Sequence, residues 1–236
     1  MYPRTARTTA ARDRDRISYE RHAAHRILDE AYHCCLTFVV DGAPRALPTL
    51  HVRVDETLYL HGSTGSTPLL AARGPDGLAV CVAVTLLDGL VYARSQFHHS
   101  ANYRSVVVHG TARLVTDPDD KRRALDALVD KVGPGRSADA RPPSRKELAE
   151  TAVLAVGLDE VSVKSRSGAP IDDPADLALP YWAGVVPLRT VADPAQPAPG
   201  VTGPTPAYLP GVAPEPAAVP AAEPAAEPPT VPQDTP

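Results

Sequence analysis

Apolar and polar positions change period several times along the chain, and each change predicts an element. Ala24, Ile27, Leu28 and Ala31 recur at helical spacing, which predicts a short amphipathic helix within residues 18–33. Ser18 is placed to cap it, with His22 and His25 on the solvated side. From Cys34 the pattern becomes β-branched and apolar. Cys34 to Val40 reads as a strand, Asp41-Gly42 as a turn, Arg45 to Val54 as the return strand and Thr57 to His61 as a third. Ala79 to Leu86 and Leu90 to Ser95 read as two strands around an Asp88-Gly89 turn. Tyr103 to Thr116 is a long sixth strand, and its internal Gly110 marks a bulge or a barrel corner. Tight turns between successive strands imply an antiparallel meander. Six such strands with little helix predict a closed or half-closed barrel. Asp117-Pro118 then opens a helix over residues 121–132, which Gly133-Pro134-Gly135 stops. Ser144 and Glu147 have the spacing of a capping box for a further short helix. Val153 to Lys164 is the last strand, and residues 165–187 carry no clear period.

Composition changes this picture at the two ends. The chain has 236 residues and 27 Pro, and the Pro are concentrated after residue 191. That Pro/Ala-rich stretch cannot bury enough apolar surface to offset chain entropy, so 191–236 is expected to be a disordered tail. Residues 1–16 are Arg-, Thr- and Ala-rich and are expected to form a disordered basic arm, which leaves 17–190 as the folded domain. A net charge of -4 gives no argument for nucleic acid or an anionic membrane as partner. No apolar run reaches the ~18 residues of a membrane span, and the N-terminus has no apolar signal-peptide core. Cys34, Cys35 and Cys81 form no Cys-x-x-Cys pair and read as reduced thiols of a cytoplasmic protein.

Two turns concentrate hydrogen-bonding groups between apolar strands: His61-Gly62-Ser63-Thr64-Gly65-Ser66-Thr67, and Ser95 to Arg104 with His98, His99, Asn102 and Tyr103. Such groups at strand ends suggest a site. Three stretches occur in a characteristic order: Leu60-His61-Gly62-Ser63-Thr64-Gly65-Ser66, Asn102-Tyr103-Arg104-Ser105-Val106-Val107 and Trp182-Ala183-Gly184-Val185-Val186-Pro187-Leu188. With the strands, hairpin and helix between them, they make roughly residues 17–190 resemble the flavin-binding split-barrel proteins. More narrowly, the chain resembles the pyridoxamine 5'-phosphate oxidase-related group that includes the nitroimidazole-resistance reductases. The resemblance implies a mainly β fold, a six-stranded antiparallel split β-barrel with a few flanking helices. It further implies a homodimer with FMN at its interface. The implied activity is flavin-dependent reduction of a small organic acceptor such as a nitroaromatic or a quinone. The alternatives are a non-catalytic flavin-nucleotide carrier or sensor, or haem or deazaflavin in the same cleft.

The residues suit a flavin nucleotide on physical grounds too. Ser63, Thr64, Ser66 and Thr67 supply hydroxyls for its phosphate, and a turn flanked by Gly62 and Gly65 can form an anion nest. Arg104 or Lys164 could supply charge. Pro48 lacks a ladder donor, so the Pro48-Thr49-Leu50 strand can face a ligand along the flavin ring. His61, Asn102, Ser105 and Trp182 complete the expected cofactor contacts. His99 and Tyr103 are the candidates for proton delivery. His98 and His99 could also bind metal or haem with His61 or His51, but nothing in the sequence fixes such a geometry, and no metal site is assigned. Thr67-Pro68 follows Ser66 where the oxidases proper carry a basic residue, so oxidation of pyridoxamine 5'-phosphate is not expected. No Gly-x-Gly-x-x-Gly follows a strand, so no separate nicotinamide domain is expected.

Overall fold

Leu36 and Phe38, Val80, Val82 and Val84, and Val106 and Val108 are buried at every second position of three adjacent strands, and the sheet closes around them. The computed structural model describes residues 1–10 and 14–210. Its elements begin with β1 (Ile17–Ser18), α1 (Arg21–Glu30), β2 (His33–Val40), β3 (Ala43–Val54) and β4 (Thr57–Ser63). Then come α2 (Thr67–Ala71), β5 (Leu78–Tyr92), β6 (Ser100–Leu114), α3 (Pro118–Val132) and α4 (Arg145–Glu150). The last are β7 (Thr151–Gly157), β8 (Glu160–Arg166) and β9 (Gly184–Pro187). Strands β5, β2, β3, β4, β7 and β6 pair in that order, and β6 pairs back onto β5. The ring is the expected six-stranded antiparallel split barrel. β8 and β1 extend it beyond β6, and β9 flanks β5.

The split lies along β6. Arg113 faces Ala155 on β7, and His109 faces Glu160 on β8, so β7 and β8 are one strand running past the same edge of β6. Gly110–Ala112 face Val156–Asp159, one residue more, and this bulge bends the strand at the corner. Gly110 is required there, because a Cβ would stand 2.9 Å from Val156 Cγ1. The expected last strand, Val153 to Lys164, is therefore correct apart from its bend.

The Asp88-Gly89 turn is a correction. β5 runs through it unbroken, and Asp88 is a bulge between Leu87, opposite Tyr103, and Gly89, opposite Asn102. The strand continues because β6 and β9 satisfy the peptide groups on both its edges, with Leu188 N–H donating to Asp88 O at 2.9 Å. α2 and β9 stand where a turn and irregular chain are expected, and both are too short to show a period. α1 starts at Arg21, later than expected. Ser18 pairs with Val163 in β1, and its Oγ accepts from Glu20 N–H at 3.2 Å. Both later caps are as expected: Asp117 accepts from Asp119 and Asp120 N–H, and Ser144 and Glu147 form the capping box.

The N-terminal arm is also corrected. Tyr2 is buried and belongs to the core, and its N–H donates to Tyr19 O at 2.7 Å. Its Oη lies 3.0 Å from His25 Nε2 and donates to Glu56 at 3.1 Å, so His25 is not simply solvated. Thr5 Oγ1 and the forked Arg7 guanidinium both bond Glu160. One buried aromatic ring and these ion pairs offset the ordering of a short polar segment. Residues 191–210 carry no helix or strand, and Tyr208 bonds Arg136 and Asp139. The rest of the expected tail, 211–236, lies outside the described residues. Among the described residues no helix is long and apolar enough to cross a membrane.

Gly77 tests the strand entry into β5. Its φ is +70°, and a Cβ would meet Ala112 O at 2.6 Å and Thr111 Cγ2 at 2.7 Å. Gly77→Ala is expected to lower stability by about 3 kcal/mol, combining left-handed strain with a backbone clash. An unchanged urea midpoint would refute that reading.

Candidate functional site

The first polar turn is built by how β4 ends. His61, Gly62 and Ser63 pair with Val153, Ala152 and Thr151 of β7. Thr64 N–H then donates to Glu150 O at 3.0 Å and Ser66 N–H to Ser63 O at 2.9 Å, which curls the chain directly into α2. Gly62 allows Leu69 to pack close, since a Cβ there would stand 3.2 Å from Leu69 Cδ2. Ser63, Thr64 and Thr67 keep accessible hydroxyls, whereas Ser66 Oγ is buried without a protein partner. A guanidinium reaches this turn that sequence reading missed. Arg73 Nη2 donates to Thr64 O at 3.0 Å. It supplies the positive charge that Thr67-Pro68 does not, and recognising α2 was the one sequence signal that could have found it.

Arg104 is elsewhere. Its guanidinium forks onto Asp88 at 2.9 and 2.8 Å and onto Glu30, beneath α1. The bonds to Glu30 and then to Asp88 raise its pKa, and the bond from Arg104 lowers that of Glu30. Two carboxylates already match its charge, so it is not positioned for a phosphate at the turn.

Strand register brings a second group together. Pro48 faces Cys35, Cys35 faces Ala83, Ala83 faces Val107 and Val107 faces Ser162, a row of mostly small side chains across five strands on the outer face. Beside it run Thr85, Ser105 and Lys164, then Leu87, Tyr103 and Arg166. Ser105 Oγ donates to Lys164 O at 3.0 Å. Pro48, Tyr103, Ser105 and Lys164 therefore share one face, and Leu50 lies further along it opposite His33. Thr49 faces the buried Cys34 on the inner side, and Asn102 is also internal, with Nδ2 donating to Gly168 O at 3.1 Å. The far end of the face opens into an apolar groove of about 650 Å³ between Val39, Pro44, Ala46, Ala79 and Cys81.

A cleft of about 460 Å³ lies under α3 and α4. Leu50 and His61 line it together with Leu125, Val129, Val132 and Leu148. Behind it His51 is fully buried. Its Nε2 is 2.9 Å from Leu28 O and 3.2 Å from Lys131 Nζ, and its Nδ1 has no partner. Burial, and then the Lys131 charge, push the His51 pKa down to about 4. Burial pushes Lys131 down to about 8, and its Nζ donates to Leu28 O at 2.6 Å. His51 is thus a packed core imidazole, separate from His61.

His99 and Trp182 fall in a third group, at the far end of the β5–β6 hairpin. Tyr92 lies between them, 5.7 Å from the His99 ring and 5.8 Å from the Trp182 ring. His99 Nδ1 is 3.0 Å from Ser95 O, and His98 turns away to Asp173 at 3.2 Å. His99 and Tyr103 are four residues apart along extended chain, about 13 Å by strand rise, so they do not form one proton path.

Residues 20–165 match the family model described as pyridoxamine 5'-phosphate oxidase. No curated protein matches the chain. The flavocytochrome Anf3 from Azotobacter vinelandii is 34% identical, covering 87% of this chain and 95% of its own, at a TM-score of 0.82. The FAD and heme binding protein from Mycobacterium smegmatis is 42% identical, covering 81% and 93%, at a TM-score of 0.76. A 5-nitroimidazole antibiotic resistance protein from Bacteroides thetaiotaomicron, 20% identical over 63% of this chain and 85% of its own at a TM-score of 0.53, shares the fold.

Proposed function

Since this chain belongs to the pyridoxamine 5'-phosphate oxidase family, we propose that it is a redox protein that holds a flavin, in the form of FAD, together with a haem. The observation that carries this reading is the 42% identity, across 81% of the chain, to an FAD and heme binding protein. The flavocytochrome at 34% identity supports it independently. The flavin expected from sequence is kept, and the Mycobacterium smegmatis relative favours FAD over FMN.

The residues present fit both groups. Ser63, Thr64, Ser66 and Arg73 suit flavin phosphates: an orphan buried hydroxyl, accessible hydroxyls and a guanidinium meet at one turn. The row from Pro48 through Cys35 and Ala83 to Val107 is flat and short-chained, which suits the ring system. His61, in the cleft that Leu50, Leu125, Val129 and Leu148 line together with Asp126, Arg141 and Glu147, would hold the haem iron. Bound together, flavin and haem couple two-electron to one-electron transfer. In this reading the proton for a small organic acceptor comes from Tyr103, which shares a face with Ser105 and Lys164. Val39, at 59% exposure beside the apolar groove, supports a homodimer packed on this face. Free Cys34, Cys35 and Cys81 support a reducing, cytoplasmic compartment.

The test is an absorbance spectrum of protein produced with haem and FAD supplied and then desalted. A flavin band and a Soret band, near one of each per chain, are expected, with FAD as the flavin released by heat. A colourless protein overturns the reading, and release of FMN overturns its choice of flavin.

A further inference from the structure

Register across the sheet sets a thiol, an imidazole and a carboxylate side by side, outside every group assigned to the flavin or the haem. Cys81 of β5 faces His109 of β6, and His109 faces Glu160 of β8. All three are partly buried on the outer face, alternating with the buried Val80, Val82, Val108 and Val161. Directly opposed positions hold their Cβ atoms about 4.5–5.5 Å apart, so Cys81 Sγ and a ring nitrogen of His109 meet once their rotamers face each other. The His109 ring makes no hydrogen bond among the described residues, which leaves it able to turn to the thiol. Glu160 is fixed: Thr5 Oγ1 and Arg7 Nε donate to one oxygen at 2.8 and 3.0 Å, and Arg7 Nη2 to the other at 2.6 Å. The bonds from Arg7 and then Thr5 hold its carboxyl below the usual carboxylate range, so it faces His109 as an anion. The Arg7 charge is also felt, more weakly, at Cys81. Beside His109 lies a pocket of about 450 Å³ that Arg7, Arg113, Asp159 and Glu160 line with it, next to the strand bulge. The other two thiols lack this setting. Cys34 is sealed in the core, where burial pushes its thiol up to about 12, and Cys35 stands between Pro48 and Ala83 with no base opposite.

We propose that Cys81 is a nucleophilic thiol, activated by His109, that takes up a low-molecular-weight disulfide of the amino-acid or peptide type as a reversible mixed disulfide. Guanidiniums and carboxylates around one pocket suit a zwitterionic ligand. His109 accepts the Cys81 proton, and the thiolate attacks one sulfur of the disulfide. The new S–S bond forms as the old one breaks, and the departing thiolate takes the proton from His109. The Cys81 sulfur is oxidised and the departing sulfur is reduced, so the step needs no further electron donor or acceptor. Cys35 is the diagonal neighbour of Cys81, about 7–8 Å away between Cα atoms, beyond the span of a disulfide, so it does not displace the adduct. The site is independent of the flavin and haem reading.

The full-length protein, as purified, is incubated with glutathione disulfide at neutral pH, and the adduct on each cysteine is followed by mass spectrometry. Cys81 is expected to react about tenfold faster than Cys35 or more, since a cysteine without a base is only a few per cent thiolate at neutral pH. In His109→Gln the Cys81 rate is expected to fall about tenfold while the Cys35 rate stays as it was, which also shows the sheet to be intact. Equal rates at Cys81 and Cys35, or a Cys81 rate unchanged in His109→Gln, overturn the proposal. Should the variant unfold, the ratio of the two rates in the unaltered protein decides by itself. The Cys81 rate is expected to saturate with glutathione disulfide and to rise linearly with the uncharged bis(2-hydroxyethyl) disulfide. A linear rise with both overturns the pocket as the disulfide's binding site.

Discussion

Acidification from pH 6.5 to pH 4 is expected to remove about 3 kcal/mol of folding stability through His51 alone. The imidazole is fully buried between α1 and α3, and its folded pKa of about 4 lies below the ordinary 6.5. Between those values the unfolded chain binds a proton that the folded chain does not. The stability associated with the neutral ring is therefore complete above pH 6.5 and disappears as pH falls through 4. Protonation would place a second cation 3.2 Å from Lys131 Nζ, with one ring N–H still lacking an acceptor. His51→Gln keeps a donor for Leu28 O and cannot titrate. Its urea midpoint should fall much less between pH 6.5 and 4.5 than that of the unaltered protein. Parallel acid limbs for the two proteins would show that His51 does not carry the effect.

His61→Ala is expected to abolish haem retention and spare the flavin. His61 is the imidazole lining the cleft under α3 and α4, and none of the other described residues lining it is a histidine, cysteine or methionine. The Soret band per flavin should fall by about tenfold or more, the scale on which losing interactions at a metal site lowers affinity. His51→Gln serves as the control, since His51 is sealed behind the cleft. A Soret band that survives His61→Ala and disappears with another histidine would move the haem to that residue.

Much of the barrel was legible because local pattern carries it. Alternation in Cys34 to Val40 and in Tyr103 to Thr116, Gly110 at the corner, and the caps at Asp117 and Ser144 all act over a few residues. The turn from His61 to Thr67 was legible as a dense polar turn for the same reason. Arg104 shows where that reading stops. It sits inside a motif stretch that suggested a phosphate partner, yet Asp88 and Glu30 claim its guanidinium. Arg73 shows the converse: nothing in its own neighbourhood marks it, and only α2 folds it back onto Thr64.

By itself, then, the sequence determined the strand periods, the tight turns, the helix caps and the polar turn, because hydrophobic alternation and turn chemistry are properties of neighbours along the chain. The tertiary structure decided the rest: the unbroken β5, the docking of Tyr2, the burial of His51 against Lys131, and the separation of His99 from Tyr103. Each of these depends on which distant strand or helix supplies a hydrogen-bond partner or excludes water. That is set by register and packing across the barrel, and no local pattern encodes it.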